Sequence, residues 1–178
     1  PKAVARIESY DPPWPMPKLF RMKKGNKINL GIFAGETINT PSMLATEDYI
    51  AALEWAKSIG GRKALIERAN ANAKIVKDWI EATPWLRNMA TDPALQTNTG
   101  VCMVFQGDWY ESLSDDDKAA VPKTIVKLLE ERNVGYDFNG YRDAPPSLRI
   151  WCGSTVEQED LKRLLPWIEW AYEKVKNG

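Results

Sequence analysis

The stretch DPPWPMPK, residues 11 to 18, places four prolines within six positions. Proline has no amide hydrogen to donate and its ring fixes φ, so such a run cannot lie inside a helix or a central strand. The opening forty residues are therefore expected to form an irregular, extended connector. Pro1 begins PKAVARIESY as if continuing an upstream phrase, and we expect the chain to be a fragment.

From Thr40 the pattern turns helical. Thr40 is placed to cap, Pro41 suits a first helical position, and Met43, Leu44, Ile50, Leu53 and Ile59 recur at roughly helical spacing until Gly60 and Gly61. A second helix is predicted from about Lys63 to Ala82, with Leu65, Ala69, Ile75, Val76, Trp79 and Ile80 on one face. Asn72 is the one polar residue on that stripe.

Strand and helix signals then alternate. TGVCMVF (99–105), VGYDF (134–138) and SLRIWC (147–152) read as strands. Ser114 and an acidic first turn open a helix that Pro122 should kink or split. Thr155 and Gln158 suggest a capping box for a last helix, striped by Leu161, Leu164, Leu165, Ile168, Tyr172 and Val175 and bent at Pro166. The order helix, helix, strand, helix, strand, strand, helix implies an α/β fold: a small unit with a mixed sheet covered by helices, preceded by a long helix and the connector. The expected divisions are 1–42, 43–82 and 83–178.

Composition narrows the function. Twenty-four basic and 24 acidic residues cancel without long runs, so neither nucleic acid nor an anionic bilayer is an expected partner. No apolar stretch is long enough to span a membrane and no export signal is evident, which makes the cytoplasm the expected location. The chain has no histidine, which removes Ser-His-Asp, Cys-His and the common zinc hydrolases from consideration. Cys102 and Cys152 lack metal-ligand spacing and are expected to be small buried side chains. Trp55, Trp79, Trp167 and Trp170 lie in the helical patterns and read as core or subunit-contact residues.

In SLRIWC, Leu148, Ile150 and Cys152 share one face and Arg149 and Trp151 the other. An arginine rooted on a rigid strand offers a planar fork that matches a carboxylate or a phosphate. Arg142 lies nearby in YRDAPPS, stiffened by two prolines. Two readings stand for these arginines: an anion clamp, or side chains that are solvated or paired with Asp137, Asp143 or another acid. Thr37, Asn39 and Thr40 likewise form either a phosphate cradle at a helix start or a plain cap.

The pieces GIFAGETINTPSML, EDYIAALEWAKSIGG, TPWL, NTGVCMV and above all YRDAPPSLRIWCGSTVEQEDL, together with the connector, resemble the C-terminal part of the phosphoserine aminotransferase family. These are class V, fold-type-I enzymes that use pyridoxal 5'-phosphate (PLP). The likeness runs over essentially the whole chain, and INTPS and YRDAPPSLRIW carry most of it. It implies a small C-terminal α/β domain (83–178), linking helices (43–82), and a connector with a remnant of the large PLP-binding domain (1–42). It implies that Asn39 and Thr40 reach the cofactor phosphate of the neighbouring subunit in a homodimer. It assigns the substrate carboxylate to Arg149 and the substrate phosphate to Arg142. One branch of the family has a histidine before that second arginine and a slightly different spacing between the two; this chain has Tyr141. The Schiff-base lysine, the acid against the pyridine nitrogen and the aromatic ring stacked on the cofactor would lie upstream of Pro1, so no catalytic residue is assigned here and the chain alone should be inactive.

The implied reaction moves an amino group between glutamate and 3-phosphohydroxypyruvate to give O-phosphoserine in serine biosynthesis. Two alternatives remain at this point. One is a class V aminotransferase acting on glyoxylate or an unphosphorylated amino acid, and the other is a non-catalytic, self-associating anion-binding module.

Overall fold

The computed structural model describes residues 2–9, 13–14, 22–25, 27–37 and 39–178. It divides into two compact units, Pro1–Glu54 and Trp55–Gly178.

The first unit is not irregular throughout. Helix α1 covers Lys2–Ser9, where the sequence has neither proline nor glycine and is rich in good helix formers. Two short strands, β1 (Lys23–Lys24) and β2 (Lys27–Ile28), pair antiparallel, and a 3-10 turn follows at Gly31–Ala34. Apart from Pro13 and Trp14, the proline run predicted as a connector lies outside the described residues.

Helix α2 spans Met43–Ser58. It starts later than the Thr40-Pro41 signal implies, because Ser42 is the residue that caps: its Oγ accepts from the Ala45 amide at 3.3 Å. Gly60 (φ 110°) and Gly61 (φ 68°) then break the chain in a conformation that a side chain would oppose, and α3 runs from Gly61 to Ala82.

In the second unit, β3 (Leu86–Asn88), β4 (Gly100–Phe105) and β5 (Ser147–Trp151) form one sheet in the order β3-β4-β5. Between β4 and β5 lie α4 (Asp108–Glu111) and α5 (Asp115–Glu130), and α6 (Gln158–Asn177) closes the chain. The α/β class holds, but both strand pairings are antiparallel rather than mixed. The cause is the segment after α5. It runs back beside β5, with Asn139 bridging Leu148, and then turns at 141–146, so β5 enters opposite to β4. VGYDF is part of this return and is not a strand: Asp137 takes φ 60°, which interrupts extended backbone. Three-residue β3 is too short to show a period in the sequence.

One face of the sheet carries Leu86, Val101, Met103, Phe105, Leu148 and Ile150 into the core shared with α3, α5 and α6. Cys152 lies in the same core, where burial pushes its thiol up to about 11, so it is protonated and inert near neutral pH. The other face, where Cys102 pairs with Arg149 and Gly100 with Trp151, remains open at that end. The tryptophans of the helices differ in setting. Trp79 and Trp170 pack against the core, whereas Trp55 and Trp167 are exposed. Trp85 stacks on Tyr172 with centroids 3.8 Å apart.

Neither internal proline ends its helix. Pro122 leaves the Lys118 carbonyl without its amide partner, and the Tyr110 hydroxyl donates to that oxygen at 3.4 Å. At Pro166 the deprived carbonyl belongs to exposed Lys162. The Thr155–Gln158 capping box does not form, and α6 begins at Gln158 without a side-chain cap. Tertiary contacts hold this entrance instead. Arg68 Nε donates to the Ser154 carbonyl at 2.8 Å and its Nη2 pairs with Glu157. Asn72 Nδ2 donates to the carbonyls of Gly153 (3.1 Å) and Val156 (2.8 Å), which accounts for the polar residue on the α3 stripe.

Candidate functional site

The alternation along β5 buries Leu148 and Ile150 and turns Arg149 and Trp151 to the opposite face. There a cavity of about 540 Å³ opens between the β4–β5 face, the return segment 134–141 and the first turns of α6. Arg149, Cys102 and Trp151 line it from the strands, Thr99 from the residue before β4, and Asp160 and Leu164 from α6.

Arg149 is held from three directions. Its amide donates to the Phe138 carbonyl at 2.8 Å, which ties β5 to the return segment. Its Nη2 donates to Asp137 Oδ2 at 2.9 Å. The guanidinium carbon lies over the Tyr141 ring, 4.5 Å from the centroid. The side chain is 23 % exposed, against 84 % for Asp137. The neighbouring approach is close: the Gly140 amide donates to the Ser147 carbonyl at 3.2 Å, and a Cβ at Gly140 would fall 2.3 Å from Ser147 Oγ. A side chain at Gly140 would therefore force the Ser147 hydroxyl to move.

Arg142 is placed differently. Its side chain is 93 % exposed, its Nε lies 3.6 Å from Asp143 Oδ1, and it is not among the residues that line the cavity. The chain from Tyr141 to Ala144 turns tightly, with the Ala144 amide on the Tyr141 carbonyl at 3.0 Å, and carries Arg142 outward. Both acid pairings weighed from the sequence, with Asp137 and with Asp143, are thus present. Only Arg149 also faces a concavity.

Asn39 and Thr40 belong to the first unit and are exposed on the approach to α2. The Ala45 amide at that helix start is already taken by Ser42, so a phosphate there would rely on the earlier amides and on the Asn39 and Thr40 side chains. Asn39 and Thr40 are solvent-exposed side chains that carry hydrogen-bond donors.

The charge around the cavity was not legible in the sequence. The lining holds one arginine, Arg149, and two carboxylates, Asp137 and Asp160, a formal net charge of one negative. Asp160 is one acid among several in VEQEDL, and only the packing of α6 brings it to the cavity. Trp151 could have been found, since it alternates onto the same face as Arg149. Among the described residues no helix is long and apolar enough to cross a membrane.

No protein-family model matches the chain. The chain is 50 % identical over 176 residues to the phosphoserine aminotransferase of Methanosarcina barkeri (strain Fusaro / DSM 804), an alignment covering 99 % of this chain and 45 % of that protein. It is 49 % identical over the same length to that of Methanosarcina mazei, with the same coverage. The chain thus spans somewhat less than half the length of these curated relatives. Among solved structures, the phosphoserine aminotransferase from Bacillus circulans subsp. alkalophilus superimposes with a TM-score of 0.62 at 18 % identity, over 76 % of this chain and 34 % of that one. A second phosphoserine aminotransferase, from a study of radiation damage of its Schiff base, gives 0.63 at 19 % identity, over 80 % and 36 %. The fold is therefore that of part of these enzymes, and the resemblance drawn from INTPS and YRDAPPSLRIW extends over nearly the whole chain.

Proposed function

We propose that the chain is the C-terminal portion of a phosphoserine aminotransferase that, as an intact PLP-dependent homodimer in the cytoplasm, converts glutamate and 3-phosphohydroxypyruvate to 2-oxoglutarate and O-phosphoserine. The 50 % identity held across 99 % of the chain carries this reading. The setting of Arg149 agrees with it. A guanidinium rooted on a strand and braced by Tyr141 offers a fork that fits a carboxylate, and holding the substrate in one pose lowers the entropic part of the barrier.

PLP supplies the electron sink of transamination when it is bound. The contribution of this chain is grip: Arg149 on the substrate carboxylate, Arg142 on the substrate phosphate, and Asn39 and Thr40 on the cofactor phosphate of the neighbouring subunit. The divisions at 42 and 82 belong to the same proposal, with 43–82 linking a small domain, 83–178, to the upstream part. The lysine that exchanges the proton belongs to that upstream part, so the chain by itself is inactive.

The test uses the protein with its upstream half and PLP. Glutamate should be consumed when 3-phosphohydroxypyruvate is supplied, and Arg149→Lys should lower kcat/KM for glutamate by about tenfold or more, since an ammonium cannot reproduce a bidentate fork. Unchanged kcat/KM in that variant counts against the assignment.

The outward position of Arg142 favours a second reading, a class V aminotransferase whose acceptor lacks a phosphate. Arg142→Ala separates the two. Under the first it weakens 3-phosphohydroxypyruvate far more than an unphosphorylated 2-oxo acid; under the second it affects both equally.

A further inference from the structure

We infer that Asp137 is a built-in rival for the anion site of Arg149, one that competes with a ligand carboxylate for the guanidinium. The inference rests on the proposed role of Arg149 and adds to it a residue that sets the threshold for binding.

The contact between the two is a placeholder by its geometry. A single oxygen of Asp137 meets a single nitrogen of Arg149. Among the described residues, Nε and Nη1 of Arg149 have no acceptor. A ligand carboxylate in the plane of the guanidinium can engage two N–H groups at once, which is the stronger arrangement. Asp137 is also the easier partner to move. Its side chain is largely exposed, and ion pairs with that much water around them contribute little.

Asp137 is nevertheless kept close. The hydrogen bond from the Arg149 amide to the Phe138 carbonyl pins the adjoining residue to β5, and Asp137 itself sits at φ 60°, a conformation that Asp and Asn tolerate better than most residues. The rival is therefore always within reach of the guanidinium. Tyr141 adds a separate contact: its ring lies against the guanidinium carbon, so the group remains held when Asp137 leaves.

Electrostatics give the exchange a purpose. With Asp137 and Asp160 both lining the cavity, an anionic ligand enters against a net negative lining unless Asp137 swings out. A ligand with one weak point of contact does not repay that movement, whereas a full carboxylate does. The pair thus selects for carboxylates that can fill the fork.

The experiment uses the intact holoenzyme and Asp137→Asn, which removes the charge while keeping size and tolerance of positive φ. The probe is glutarate, a dicarboxylate without an amino group, as a competitive inhibitor against glutamate. Asp137→Asn should lower Ki for glutarate and KM for glutamate together by roughly two- to fivefold, the span expected from removing one exposed ionic competitor. In an Arg149→Ala background the same substitution should change neither. If Asp137→Asn leaves both constants unchanged or raises them while Arg149→Ala weakens glutarate, Asp137 supports the arginine and this inference alone falls. If Arg149→Ala leaves glutarate inhibition intact, the carboxylate role of Arg149 falls and the inference with it.

Discussion

Helix α2 is richer in apolar residues than α6, yet it is α6 that has buried residues. On α6, Leu161, Leu164, Leu165, Ile168, Ala171 and Tyr172 form one stripe and are all buried. On α2, Met43, Leu44, Tyr49, Ile50, Leu53 and Trp55 point around much of the circumference, and none is buried; Leu44 is 75 % exposed. A one-sided stripe completes its packing against a single core, whereas a helix apolar on several sides calls for more than one surface. The same contrast holds at the helix starts. Ser42 caps α2 from within its own turn, while the start of α6 is held by Arg68 and Asn72 from α3.

The largest effect that tests this contrast is expected at Ile168, which is fully buried. Ile168→Ala should cost roughly 2–5 kcal/mol in urea unfolding of the chain, because the lost contacts leave a cavity in a dense core. A cost below 1 kcal/mol would mean that α6 is not packed as described. Asn72→Ala comes next, at about 1–3 kcal/mol, since two loop carbonyls lose their donor. The smallest effect belongs to α2: Leu44→Ala should shift the same unfolding curve by no more than about 0.5 kcal/mol. A loss as large as that at Ile168 would show that α2 is buried in solution and end the contrast.

Much of the second unit was legible from residue order. The β5 alternation assigned Leu148, Ile150 and Cys152 to the core and Arg149 to the other face, and Ser114 caps α5 through the Asp117 amide. Local signals failed where longer-range contacts compete with them. Thr155 lost its capping role to Arg68 and Asn72, VGYDF gave up strand geometry to the left-handed Asp137, and the Tyr110 hydroxyl helps α5 to continue through Pro122.

The candidate site divides along the same line. Which residue types were available, and that Arg149 opposes the apolar face, follow from a two-residue period that any strand must obey. That Asp137 pairs with the guanidinium, that the Tyr141 ring lies against it and that Asp160 turns the lining negative depend on segments brought together from residues 137 to 160. Periodicity decides which side of an element a residue faces, because backbone geometry repeats along the chain. Which charge waits on that side is decided only when distant segments pack, because charges interact through space rather than along the sequence.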